Sequence, residues 1–328
     1  MSLCNLPKTF SFLSKSLSPN PIHTIETELD PEPAFAEVTA FAPATIANLG
    51  PGFDFLGCAV DGLGDSVTLK IDPETRPGRL VITSIHGDPT KKLSLIPNFN
   101  CTGIAAIAAM KMLGICSCGL SLSLHKGLPL GSGLGSSAAS AAAAALAVNH
   151  LLGNRLPVSD LVLAGLESEA TVSGYHAANI APALMGGFVL VQTYAPLPLI
   201  SLPFPADKDL FFKMRSALPE EITMKDHVAN CSQAGALMVG VLQGDAKPRR
   251  KGLIPGMTDV MKGAVGAGAY GCTISRVGPT AVAVTDCEER GREIGQAMVE
   301  AFLKDGKLRA KASVHRLDRV VAKVLSTN

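Results

Sequence analysis

Three glycines, Gly131, Gly133 and Gly135, alternate within residues 128–140 (LPLGSGLGSSAAS), and the adjacent hydroxyls of Ser136 and Ser137 follow them. Glycine carries no Cβ, so successive backbone N–H groups in such a run can turn toward one point. The alanine-rich stretch that continues to Val148 has close to the highest helix propensity a sequence can offer. A glycine loop opening onto a helix N-terminus gathers unpaired N–H groups and the positive end of the helix dipole, and both favour an anion. The two serines add an N-cap and two hydroxyls where a phosphate or its metal would sit. The segment predicts a phosphate cradle. It is not the lysine-containing P-loop, because no lysine follows its last glycine, and it is not the dinucleotide fingerprint, whose third glycine would fall on Ser136. For the glycines alone, a flexible turn before a buried helix is the alternative reading.

The elements that must hold this loop are legible around it. GLSLSLHKG (119–127) alternates cleanly, so a strand is expected to lead straight into the glycines. Further strands are expected at AEVTAFA, at 65–71, at 80–87 and at 186–194. Helices are expected over 101–113, ending at Gly114, and over 159–174, with Ser159 and Asp160 as capping candidates. The proline-spaced stretch 195–205 reads as a domain connection. Beyond it come a strand start at DLFF, helices near 228–244 and 256–267, a strand at 281–287, a helix at 288–304 and short terminal pieces to Val324. The expected fold class is α+β, with mixed sheets and helices layered on them.

Composition narrows the partners. Of 328 residues, 47% are hydrophobic and 17% charged, enough for an extensive core. Net charge is +1, and KPRRK (247–251) is the only basic cluster, so no nucleic-acid partner is expected. No apolar run reaches the length of a membrane span. Eight cysteines without a C-x-x-C pair suggest buried, reduced thiols rather than a zinc knuckle. Residues 1–25 hold no acid and are rich in serine, which is the composition of an organelle transit peptide and closer to a chloroplast one, and ELDPEPAF (28–35) reads as a linker. The expected layout is a transit peptide and linker over 1–35, an ATP-binding domain over 36–196 and a shortened second domain over 205–328.

Three marked segments occur in order: APATIANLGPGFDFLGCAVDGLGD (42–65), the glycine loop, and GCTISRVGPTAVAV (271–284). With SGYH, NIAPALMGG and LIPGM, they resemble the superfamily of galactokinase, homoserine kinase, mevalonate kinase and phosphomevalonate kinase, and within it homoserine kinases of plant type. The resemblance runs over roughly residues 36–328 and implies a two-domain fold with the active site in the cleft. It implies transfer of the ATP γ-phosphoryl group to the hydroxyl of L-homoserine, for threonine synthesis, in the chloroplast stroma. The resemblance allows a homodimer. It places Pro129, Leu130, Gly131, Ser132, Gly133, Leu134, Gly135, Ser136, Ser137 and Ala138 around the triphosphate. Ser137 and Glu169 would hold Mg²⁺, with Glu167 as the competitor. Asn48, Asp54, His176, Arg215, Arg250 and Thr280 would line the substrate site. Asn179 falls where mevalonate kinases place a catalytic Asp, and an amide cannot act as a base.

Four departures accompany the resemblance. Ala178 stands where the family writes Asp in HxDN, and Arg276 stands where it writes Gly in SGAGPT. Two stretches are short, one after Phe212 and one between Gly244 and Pro248, which would underfill the second domain. These favour the rival reading, an inactive or weakly active ATP-binding relative, while another small-molecule kinase of the superfamily is the remaining alternative.

Overall fold

The computed structural model describes residues 30–48, 52, 54–172, 176–193, 197–204, 239, 257–274, 281–305, 309–319 and 321–328. The fold is α+β. Its main sheet is built on two long antiparallel strands, β1 (Glu37–Ala47) and β2 (Leu56–Ile71). Their register shifts between Pro43 and Ala44, which pair with Gly64 and Val60, so residues 61–63 bulge out and Gly62 takes a φ of 74°. The bulge divides β2 into two working halves. The later half pairs with β4 (Leu120–His125), which runs parallel to β3 (Leu80–His86), and the earlier half pairs with β5 (Phe188–Val191) and through it with β6 (Leu199–Leu202). At the other edge β1 takes β9 (Lys323–Thr327).

Four helices pack with this sheet: α1 (Cys101–Leu113), α2 (Ser136–Leu151), α3 (Val158–Val172) and α4 (Ala177–Met185). Helix α2 lies in the middle, touching β1, β2 and the other three helices. Its alanines are fully buried, and their small side chains let these neighbours approach one helix at once. Helix α1 starts where Asn100 accepts the Thr102 N–H at 3.0 Å and ends at Gly114 with φ 69°, the left-handed cap expected of that glycine.

The second part comprises the hairpin β7 (Gly271–Ile274) and β8 (Ala281–Val284) with α5 (Met257–Gly266) and α6 (Glu288–Lys304). Strand alternation gives β8 two apolar faces. Ala281 and Ala283 join Met257, Val260, Ile294, Met298 and Phe302, whereas Val282 and Val284 join Ile46, Leu56, Leu128 and Phe188 of the main sheet and loop.

Several local expectations change. The strand expected at 65–71 begins nine residues earlier, at Leu56. Neither Ser159 nor Asp160 caps α3: the N–H groups of Asp160 and Leu161 donate to the Pro157 carbonyl, so the helix starts before them. The 186–194 strand shrinks to β5 because Gly186 and Gly187 both have positive φ. The 195–205 connection contains β6. Helix α4 had no counterpart in the sequence reading. Residues 30–35, assigned to a linker, lie against the domain: Asp30 Oδ2 accepts the Cys116 N–H, the Ala34 N–H donates to Leu151, and Phe35 stacks on His150 with centroids 5.1 Å apart. Of the described cysteines only Cys58 and Cys272 are buried, and Cys116 is exposed. Burial pushes the Cys58 thiol pKa well up. Among the described residues no helix is long and apolar enough to cross a membrane. The DLFF strand, the 228–244 helix, KPRRK and both shortened stretches lie outside the described residues.

Candidate functional site

Strand β4 delivers the chain to the glycine loop, and α2 receives it. Gly131, Gly133 and Gly135 all lie in the left-handed region, with φ of 67°, 80° and 64°. These alternate turns bend the loop back on itself, a conformation open to few residues with a side chain. Gly135 is also required by space: a Cβ there would lie 2.0 Å from Thr45 Oγ1 and 3.3 Å from Asn179 Oδ1. Strand β1 holds the loop from behind, the Thr45 N–H donating to Leu134 O at 3.0 Å. The first intrahelical bond of α2 is Ala139 N–H to Gly135 O, so the N–H groups of Ser136, Ser137 and Ala138 have no acceptor within the helix. This is an anion-binding helix start.

A buried ion pair lies beneath the loop, and the sequence reading did not single it out. Lys126, the residue after β4, has a side chain only 2% exposed and pairs with Asp65 of β2, which is fully buried. Its Nζ also donates to Ser136 O at 2.8 Å and to Ser140 Oγ at 2.7 Å. Asp65 Oδ1 accepts the N–H groups of Gly127 and Leu128 at 3.0 and 3.1 Å. Burial pulls the Lys126 pKa below the usual lysine range, with the Asp65 charge opposing that shift. The only hint in the sequence was a charged residue in each of two apolar strands beside family motifs.

Beside the loop a pocket of about 310 Å³ is lined by Leu93, Leu124 and Leu130, by Asn100, Cys101 and Thr102 of the α1 start, and by Gly131–Gly133 and Ser137. Thr102 Oγ1 is buried there with no hydrogen-bond partner among the described residues. An apolar cleft with a few polar atoms, contiguous with an anion cradle, suits a flat base joined to phosphates.

Asn48 and Asp54 flank the loop at the mouth of β1 and β2, both with positive φ, 66° and 65°. Asn and Asp tolerate that region better than other residues carrying a side chain. Asn48 Oδ1 accepts the Asp54 N–H at 2.7 Å, closing the loop, so its amide oxygen orders this turn. The Asp54 carboxylate stands 3.3 Å from His176 Nδ1. A carboxylate only accepts, so Nδ1 carries the hydrogen in that contact. His176 precedes α4, and α4 brings Asn179 to the phosphate loop, 1% exposed, with its Oδ1 3.2 Å from the donating Thr45 hydroxyl. The seat of α4 is close: a Cβ on Gly57 of β2 would fall 1.7 Å from the Ala178 carbonyl oxygen. Ala178 itself is buried in the main apolar core.

The two candidate metal carboxylates part company on α3. Glu167 is exposed and within 4.0 Å of Lys111, whereas Glu169 is fully buried. Helix α3 packs on α2, which carries Ser137 near its first turn. A serine hydroxyl and a buried carboxylate are hard oxygen donors that fit Mg²⁺, an ion that completes its shell with water and substrate phosphates. No group of three or more His, Cys, Asp or Glu that could hold a metal occurs among the described residues, in keeping with so sparse a protein contribution. Arg215, Arg250, Thr280 and Arg276 lie outside the described residues.

Comparison with known proteins gives one family result. Residues 101–187 match the model described as "GHMP kinases N terminal domain". The homoserine kinase of Arabidopsis thaliana is 61% identical over 324 residues, covering 91% of this chain and 87% of that protein. Since 91% of this chain is fewer than 324 residues, the alignment includes gaps on this side. The crystal structure of homoserine kinase from Cytophaga hutchinsonii aligns with a TM-score of 0.79 at 38% identity, covering 90% of this chain and 99% of that one. L. major mevalonate kinase, solved in complex with R-mevalonate, shares the fold with a TM-score of 0.62 at 14% identity, over 87% of this chain and 97% of its own.

Proposed function

The chain belongs to the homoserine kinase family, and from that premise we propose that it transfers the γ-phosphoryl group of ATP to the side-chain hydroxyl of L-homoserine. The observation that carries this reading is the cradle of Gly131, Gly133 and Gly135 opening onto the unpaired N–H groups of α2, with a base-sized pocket beside it. Phosphoryl transfer leaves little covalent work to a protein, so the residues act by positioning and by stabilising charge. The loop from Pro129 to Ala138 holds the phosphates. The Thr102 hydroxyl stands ready for the polar edge of the base. Ser137 and Glu169 would hold Mg²⁺, which would supply neutralisation of charge on the phosphates.

The substrate is a zwitterion with a hydroxyl. The Asp54–His176 pair offers a carboxylate to its ammonium, while Arg215 and Arg250 supply guanidinium groups for its carboxylate. Asn179 cannot remove the hydroxyl proton. With its Oδ1 engaged by Thr45, the amide NH₂ is left to donate toward the transferring group or the reacting hydroxyl. The N-terminal segment directs the protein to the plastid, a reading that rests on the serine-rich, acid-free composition of residues 1–25.

A coupled ADP-release assay with homoserine, serine, threonine, mevalonate and galactose tests the reading. Turnover with homoserine alone is expected. ATP binding without turnover on any of the five would overturn it in favour of an inactive relative, the outcome that the Asp-to-Ala difference at Ala178 would then explain.

A further inference from the structure

The glycine loop is tied at both ends to one buried pair. At its start, Asp65 Oδ1 accepts the N–H groups of Gly127 and Leu128. At its end, Lys126 Nζ donates to the Ser136 carbonyl, and Ser140 Oγ, 2.6 Å from Asp65 Oδ2, links the pair to the second turn of α2. The ammonium has three protons and three acceptors: Asp65, Ser136 O and Ser140 Oγ. It therefore has no N–H left for a phosphate, unlike a P-loop lysine. Nor does stability account for it well, since a buried ion pair is often replaceable by apolar residues without loss. What the arrangement does supply is geometry and polarisation. A cation bonded to the Ser136 carbonyl draws charge through the Ser136–Ser137 peptide and makes the Ser137 N–H a stronger donor. That N–H is one of the three left without an intrahelical acceptor at the start of α2.

We propose that Lys126 and Asp65 are positioning residues of the nucleotide site, pinning both ends of the glycine loop in its anion-accepting shape and strengthening the Ser137 N–H toward phosphate. The proposal rests on the kinase reading above. It predicts that the pair controls affinity for ATP and leaves recognition of the amino-acid substrate alone.

The test is the double variant Asp65→Asn/Lys126→Met, which leaves no lone buried charge and keeps an oxygen for the Gly127 and Leu128 N–H groups. Calorimetric Kd for ATP, KM for homoserine at saturating ATP and Tm are measured beside the unchanged protein. The expected result is an ATP Kd raised about tenfold or more, with KM for homoserine within about twofold. Lys126→Arg, which keeps the charge, is expected to fall between the two. A double variant that binds ATP as the unchanged protein does overturns the proposal, even if its Tm has dropped, because the pair would then serve stability alone. If the double variant does not fold, Ser140→Ala decides: removing this one link is expected to weaken ATP binding about two- to threefold, and an unchanged Kd overturns the proposal. Failure of the unchanged protein to bind ATP would instead strike the kinase reading, and this inference with it.

Discussion

Glu167 and Glu169 stand two positions apart on α3 and so point to nearly opposite sides of the helix. One reaches water and Lys111, and the other is sealed in the interior. If Glu169 holds Mg²⁺, Glu169→Gln lowers kcat by about a hundredfold or more and raises the Mg²⁺ concentration needed for half-maximal rate. Glu167→Gln, which removes only an exposed contact, stays within about twofold of the unchanged protein. Rates measured across a Mg²⁺ titration check both. Equal losses in the two variants would remove Glu169 from the site. Ala178 bears on the same scale: it is buried in apolar core, so an Asp there would have to be desolvated.

At the scale of elements, the segment ahead of β1 acts as a strap. Asp30 meets the turn at Cys116, Ala34 meets the end of α2, and the Ala36 and Glu37 N–H groups donate to Asn328 after β9. The strap thus joins three elements, with Phe35 stacked on His150 adding an apolar contact. A chain beginning at residue 36 is expected to be less stable than one beginning at residue 30 by about 1–3 kcal/mol, from the lost hydrogen bonds and stacking. Chemical denaturation of the two chains measures the difference, and equal midpoints would show that the strap contributes nothing.

For the whole molecule, one apolar cluster joins its two parts. Phe188, Leu56 and Ile46 of the main sheet meet Val282 and Val284 of the hairpin, and Leu128 at the foot of the glycine loop lies in the same cluster. Phe188→Ala empties the centre of this cluster, at an expected cost of about 3–5 kcal/mol. Calorimetry is expected to show one transition for the unchanged protein and two for the variant, as the parts melt separately. A single transition in both would place the coupling elsewhere.

The glycine loop, the Gly114 end of α1, the alternation of β4 and the alanine helix were all readable along the chain. Each depends on residues a few positions apart, whose conformational preferences act within a turn or a strand. The family's motifs extended that reading to a kinase and its substrate class. Other features were not readable, because they join residues far apart in sequence. Lys126 finds Asp65 across 61 positions, and Thr45 finds Asn179 across 134. The start of β2 at Leu56 was hidden because both faces of that half are covered, which erases the alternation that marks a strand. Helix α4, nine residues with a proline within, was too short to show a period. The sequence by itself determined a glycine loop opening onto a helix start, a form that suits an anion. Only the tertiary structure decided which of the two carboxylates is buried and which ion pair lies beneath the loop, because burial and long-range pairing belong to the packed chain and not to any local stretch of it.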